Sequence, residues 1–429
     1  MPANSPQPAL VYLVYREALS SVFASQVLTP LEEHRGLARV TLGLHAPVGH
    51  LMRAAHKPAV KKIAERCSRS RIDLGWLPSP PTRVPWLWSD RLMLRQWLAK
   101  KFPGDEPFIV RCRGSKMTCL ALDAVRGWQH AKVIYDCRGA EAFEVIQSAG
   151  LDTVPPQQWP IAQKKVIDKV IEEERRAVEQ SAGVTCVSHA MVKSLRARYP
   201  RTPASQFFVV PCCPNVSAFS SQIPHRDSVR QSLGLTHKYV VTYLGSLVWY
   251  QMPEESLRIF RLIRELRTDA HFLAITTDPA KMQSLVEKAG IAASDATIRS
   301  FPPQEVPRWL VASDLGLMLR DTTETNRVAS PVKFGEYLAA GIPVVVSPHL
   351  GDCTGIVEDH NLGVCADLTQ SDATLRDTLS RWFADQPEGL PTRCHDYAAQ
   401  ELSWSRYVPP LVDWYQSLTK VADLSEASE

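Results

Sequence analysis

KYVVTYLGS, residues 238–246, decides the architecture, because an apolar, β-branched run closing on Gly-Ser restarts a strand–helix rhythm that had already run once. Before it come ALVYLVY (9–15), ARVTLGLH (38–45), PFIVRCR (107–113) and KVIYDC (132–137), each followed by a longer stretch of helical pattern. After it come SLRIFRLIRELR, HFLAITTD, KMQSLVEKAG, ATIRSF, VPRWLVAS, LGLMLR and GVCAD in the same alternation. Strands that are apolar throughout and separated by helices belong to parallel sheets covered on both faces. Between the two series lies VVPCCPNVSAFSSQIPHRD (209–227), polar and punctuated by proline, which reads as a linker. The expectation is an α/β chain of two Rossmann-like, doubly wound domains, with a ligand cleft at the carboxyl ends of the sheets. A single (β/α) barrel is the alternative, disfavoured by the linker and the uneven strand spacing.

A chain of 429 residues is long enough for two such cores, and 45% hydrophobic with 22% charged residues is globular composition. A formal charge of +4 is too small to mark a nucleic-acid binder. The ten cysteines show neither C-x-x-C nor zinc-type spacing, which suits a reducing cytoplasm and implies no metal. No apolar run reaches the roughly 18 to 20 residues that span a bilayer, and MPANSPQPALVYLVYRE has neither the basic start nor the long apolar core of a signal peptide.

Chemistry concentrates in SPVKFGEYLAAGIPVVV (330–346). Ser330 suits a helix N-cap, Pro331 the first helical position and Gly341 the residue past the end, giving a helix over about 331–340. Phe334, Tyr337 and Leu338 share a core-facing side, and Lys333 and Glu336 share another that faces away from the core. A cation in the first turn is disfavoured by the helix dipole, and a bound anion reverses that cost. Lysine and the free N–H groups together suit a diphosphate, with Glu336 placed to accept from sugar hydroxyls. Taken alone, the same pair also reads as a solvated ion pair on an amphipathic helix.

The string resembles the donor-binding signature of retaining GT-B glycosyltransferases of the family 4 type, the glycosyl transferases group 1. Other segments resemble the family in chain order: VSHAMVKSLRARYP, VVPCCPNVSAF, VVTYLGSLVWYQ and the final helix SWSRYVPPLVDWYQSL. The resemblance implies an N-terminal acceptor domain over 1–215, rejoined by a crossover helix at about 405–429, and a donor domain over 222–404. It implies that Glu336 holds the donor ribose, that Lys333 with the backbone at Ser330 and Pro331 holds phosphate, and that Gly245 and Ser246 form the glycine loop. The resemblance also implies a nucleotide-diphosphate sugar as donor, with no other cofactor and no metal, and a glycan or lipid-linked saccharide in cell-surface polysaccharide synthesis as acceptor. Two departures stand out. A first glutamate of the family pair would fall on Val328, and no Arg or Lys follows the glycine loop in LVWYQMPEES. Arg320, in LMLRDTTETN, is the candidate for the second phosphate cation, unless Asp321 or Glu324 pairs with it. A sugar-nucleotide epimerase, a phosphorylase on the same scaffold or an inactive sugar-nucleotide binding subunit are the alternatives.

In the first domain VIYDCRGAEAFE sets Asp136, Arg138 and Glu141 just beyond a strand. Asp136 is the candidate to orient an acceptor hydroxyl and Arg138 to contact an acidic sugar or phosphate; an ordinary turn cap with an ion pair is the other reading. Arg16, Ser20 and Ser21 sit where the family's first loop would be. The basic stretches 51–71 and 86–102 interleave Lys and Arg with Leu, Met and Trp, as suits peripheral docking on an anionic inner leaflet or, equally, core helices with solvated basic faces.

Overall fold

The computed structural model describes residues 8–15, 23–34, 37, 39–47, 58–79 and 87–420. The chain divides into two compact units, Met1–Val210 with Trp404–Glu429, and Pro211–Ser403. The first unit holds seven parallel strands: β1 (Ala9–Tyr15), β2 (Val40–Pro47), β3 (Asp73–Ser79), β4 (Phe108–Arg113), β5 (Ala131–Cys137), β6 (Gly183–Cys186) and β7 (Phe207–Val209). Their order is β3-β2-β1-β4-β5-β6-β7. The second unit holds β8 (Tyr239–Leu244), β9 (Ala270–Ile275), β10 (Ala296–Arg299), β11 (Leu315–Met318), β12 (Val344–Val346) and β13 (Gly363–Cys365), ordered β10-β9-β8-β11-β12-β13. Both are open sheets whose direction of winding reverses once, at β1/β4 and at β8/β11, so the closed-barrel alternative is excluded. Leu10 to Val14, Phe108 to Val110 and Val344 to Val346 are buried on both sheet faces, which is why these strands read as unbroken apolar runs.

The segment expected as a linker is mostly built into the second unit. Asn215 caps a short helix, Val216–Ser220, by accepting from the Ala218 N–H, and Phe219 sits in the core. A further helix, Arg226–Ser232, follows, and Arg226 and Arg230 both pair with Asp314. Polar composition and prolines hid an anchor of one large aromatic. At the other boundary the helix Trp404–Thr419 belongs to the first unit, where the Trp414 indole lies against the bare backbone of Gly183.

No described helix is long and apolar enough to cross a membrane. Of the stretch 51–71, residues 51–57 lie outside the described residues, as do Arg16, Ser20 and Ser21. The remainder forms the helix Pro58–Arg69, which buries Val60, Ile63 and Cys67 and leaves Lys61, Lys62 and Arg69 in solvent. The helix Leu87–Lys101 buries Leu94 and Leu98, and two of its cations are engaged: Arg95 donates to the Ala124 carbonyl and Lys101 pairs with Asp73. Both helices therefore bury apolar residues in their own unit, although Leu92 of the second is 47% exposed, and the second spends part of its charge there too.

The helix that carries Lys333 and Glu336 packs on its sheet through Phe334, Tyr337 and Leu338, and Tyr337 adds a hydrogen bond to it. Tyr337 is fully buried, donates to the Thr242 carbonyl of β8 at 3.0 Å, and lays its ring on Gly316 of β11. A Cβ at Gly316 would come within 2.5 Å of that ring. Gly316→Val is expected to lower stability in a urea melt of the full chain by about 1–3 kcal/mol through overpacking. Gly355→Ala, whose Cβ would meet nothing within 4 Å, should leave it unchanged or slightly raised.

Candidate functional site: a cationic end of the second sheet

In an open α/β sheet, ligands bind beyond the carboxyl ends of the strands where the winding reverses. In the second unit that place lies between β8 and β11. The loop after β8 begins at Gly245, whose φ of +149° falls outside the range ordinary side chains adopt. The loop ends at Met252, held left-handed with φ +47° at the cap of the helix Pro253–Leu266. A Cβ on Gly245 would lie 2.3 Å from the Lys333 Nζ and 2.4 Å from the Gln251 Oε1. Glycine is thus required so that two polar side chains can close over the turn. Ser246 completes the loop: its Oγ accepts from the Gln251 Nε2 at 2.8 Å, and its carbonyl accepts from the Tyr243 hydroxyl at 2.7 Å.

Across from this loop stands the helix Val332–Ala339. It begins one residue later than expected. Pro331 itself is the N-cap, with ψ 122°, and no side chain caps the helix. Ser330 instead accepts from the Cys212 N–H at 3.0 Å and so ties down the segment that enters the unit. Gly341 closes the helix with φ +74°, as expected. With a proline as cap, the Val332 and Lys333 N–H groups open the helix without an intrahelical acceptor.

Lys333 and Glu336 do not form the solvated pair on an outer face that helical spacing suggests. Both are half-buried, and the Lys333 Nζ donates to the Gln251 Oε1 at 2.7 Å. Burial, helped by the neighbouring Arg320 charge and opposed by Glu336, pushes the Lys333 amine down to about 7. Burial, opposed by Lys333, pushes the Glu336 carboxyl up to about 7. Arg320, two residues beyond the strand next to β8, is 8% exposed. Its Nη1 donates to the Leu319 carbonyl at 2.9 Å and its backbone N–H to the Ser347 Oγ at 2.7 Å. The ion pair with Asp321 or Glu324 is absent among the described residues. Asp321 instead accepts from the Thr323 N–H and hydroxyl and from Asn326, closing its own turn. A guanidinium stays charged when buried, so Arg320 is a fixed cation without a carboxylate partner. Val328 is 3% exposed and faces the interior, so its position offers the site no carboxylate.

The first unit treats its candidates differently. Asp136 is 1% exposed and saturated: Arg111 donates at 2.6 Å, Thr185 at 2.7 Å, and the Tyr12 hydroxyl closes the set. Burial alone would raise its pKa, but the charges of Arg111, Arg138 and Arg113 and the Tyr12 hydrogen bond outweigh it and hold the carboxyl well below the usual carboxylate range. It is an interior anion of the sheet and presents no face to an acceptor hydroxyl. Arg138 donates to Gln26 at 2.9 Å and to the Val210 carbonyl at 3.4 Å, bracing two chain segments. Glu141 accepts from the Ser115 N–H and hydroxyl at the start of the neighbouring helix.

Gln251 was not among the expected residues. Its signal in the sequence is slight, a lone amide in a loop that otherwise offers hydrophobic and aromatic side chains, and only the fold brings it to Lys333.

With this geometry in place, the comparisons with known proteins fall into line. Residues 225–401 match the family described as glycosyl transferases group 1, so the second unit carries a domain of that enzyme class. Three solved structures share the two-unit GT-B fold. Anabaena HepE in complex with UDP and glucose is 12% identical with a TM-score of 0.64, over 96% of this chain and 100% of that one. A glycosyltransferase from Rickettsia africae is 12% identical with a TM-score of 0.65, over 97% and 100%. WaaG, a glycosyltransferase involved in lipopolysaccharide biosynthesis, is 15% identical with a TM-score of 0.59, over 94% and 98%. No curated protein matches the sequence.

The Asp136 network yields a pH prediction. Because its folded pKa is depressed, the stability it contributes is present above the unfolded value of about 4 and is lost as pH falls below that. Asp136→Asn, which strands the buried Arg111, should cost about 3–5 kcal/mol near neutrality. It should also flatten the acid limb of a stability-versus-pH curve followed by urea melts.

Proposed function

We propose that the protein transfers a sugar from a nucleoside-diphosphate donor to a hydroxyl of a glycan or lipid-linked saccharide, with retention of anomeric configuration. The observation that carries this reading is the convergence of Lys333, Arg320, the glycine backbone at 245 and the open helix N-terminus beyond the switch point of the group 1 domain. The two cations and the amides take the diphosphate, and Glu336 accepts from the ribose hydroxyls. In the reaction the bond from the anomeric carbon to the phosphate oxygen breaks and the diphosphate leaves with its electron pair. The acceptor oxygen bonds to that carbon from the same face and gives its proton to the departing phosphate oxygen. Positive charge at Lys333 and Arg320 stabilises the negative charge that develops there, without a metal in this reading.

The UDP complexes of HepE and the role of WaaG in lipopolysaccharide biosynthesis support a nucleotide-sugar donor and a cell-surface glycan product. A cytoplasmic enzyme resting on the inner leaflet through Lys61, Lys62 and Arg69 fits that role. The buried Val328 favours a second reading, a subunit that binds the donor without transferring it.

UDP, GDP and ADP are the first ligands to test by thermal shift, since a ligand at a hundred times its Kd stabilises by about 2.7 kcal/mol. If none binds, both readings fall. Binding without donor cleavage or transfer in extracts that contain acceptor leaves only the second. Lys333→Met should weaken binding of the preferred nucleotide about ten- to a hundred-fold, the loss of one charge-assisted hydrogen bond. The same variant should raise the unfolding midpoint of the unliganded protein by a few degrees, because it removes a half-buried charge.

Affinity should also follow pH. Lys333 is cationic below about 7 and Glu336 neutral below about 7, so the local charge falls as pH rises through that value. Isothermal titration between about pH 6 and about pH 8 should show the diphosphate binding more weakly at the alkaline end, with proton uptake on binding.

A further inference from the structure

We infer that Gln251 is the positioning residue of the diphosphate clamp, holding the Lys333 amine over Gly245 through an uncharged hydrogen bond so that an arriving diphosphate meets a preset donor. The inference rests on the donor-site reading given above. Its geometric basis is a short chain of contacts. The Gln251 amide, 6% exposed, uses its Nε2 on the Ser246 Oγ at 2.8 Å and its Oε1 on the Lys333 Nζ at 2.7 Å. The amide cannot rotate without breaking both bonds. Gly245 keeps the space beneath the pair clear, and the bond to the Ser246 Oγ draws the Gln251 side chain back toward the loop's own start. A non-glycine residue is held left-handed only where its surroundings impose that conformation, and Met252 follows Gln251 directly.

The choice of amide matters electrically. From 245 to 253 the loop carries no charged residue. Among the described residues, Lys333 faces the cation Arg320, from the turn after β11, and the carboxyl Glu336, from its own helix. Tyr243 and Tyr337 stay neutral, because burial holds their phenols well above the ordinary value. Glu254, on the helix that follows the loop, acts on Tyr243. An acceptor without charge at 2.7 Å orients the amine yet leaves its protonation to be set by the ligand. A carboxylate at the same place would lock Lys333 as an ion pair that the diphosphate would have to displace.

The experiment compares wild type with Gln251→Leu and Gln251→Glu. In the unliganded protein, Lys333 acylation by acetic anhydride is followed against pH by mass spectrometry. Affinities for UDP and for inorganic diphosphate are measured by titration calorimetry. The wild-type break should fall near about 7 and rise when UDP is present. Gln251→Glu should move the unliganded break up by about one unit or more, as an opposite charge within hydrogen-bond distance does. It should also weaken both ligands. Gln251→Leu should move the break down and weaken both ligands about tenfold, the loss of one bond to a charged group. If Gln251 only braces the loop, both variants lower the melting temperature and leave the Lys333 break in place, which overturns the inference alone. Wild type that binds neither UDP nor inorganic diphosphate overturns the donor reading and the inference with it. Gln251→Glu keeps the size and the acceptor of the native side chain, so it reads the charge effect even if Gln251→Leu fails to fold.

Discussion

The Tyr337 ring resting on the bare backbone of Gly316 is the contact on which the donor end of the second unit depends. It joins β11 to the helix Val332–Ala339, and the phenol's bond to the Thr242 carbonyl joins that helix to β8 as well. These are the two strands between which the sheet reverses its winding. One side chain therefore sets the helix against both walls of the switch point, and Lys333 and Glu336, one turn earlier and one residue earlier, inherit their positions from it. A large aromatic buried here contributes about 3 kcal/mol or more. That is enough to hold a half-buried amine and carboxyl, which burial works against.

The two units use charge in opposite ways. In the first, Asp136 is buried among donors from Arg111, Thr185 and Tyr12, so its charge is balanced inside the sheet. In the second, Arg320 and Lys333 stand with one backbone carbonyl and one amide as partners while burial raises the Glu336 carboxyl to about 7. Unpaired positive charge in a half-buried place costs stability, and an anion relieves that cost. The same residue types thus read as structure in one sheet and as a ligand site in the other, and the difference lies in their neighbours.

Much of the helix Val332–Ala339 and of the loop before it was legible because its signals are local. Pro331 and Gly341 bracket a helix by their own backbone preferences, and the spacing of Phe334, Tyr337 and Leu338 gives its buried side. Gly245 marks the end of a strand wherever it occurs. Asp136 could not be placed in that way, because a carboxylate at a strand end looks the same whether the strand's neighbours bury and pair it or leave it open. Only the pairing of β5 with β4 and β6, which brings Arg111 and Thr185 alongside, shows that it is saturated. The stretch 209–227 was obscured in a similar way, since the burial of Phe219 depends on helices distant in the chain.

The sequence by itself determined the two parallel sheets, the restart at 238–246 and the anion-ready helix, because strand hydrophobicity, helix periodicity and the conformations of glycine and proline are set within a few residues. The tertiary structure alone decided which charges are free. Arg320 has no carboxylate among the described residues, Asp136 is fully engaged, and Gln251 reaches Lys333 across 82 positions of chain. Protonation and hydrogen-bond partnership depend on burial and on what lies within about 4 Å, and neither is a property of sequence neighbours.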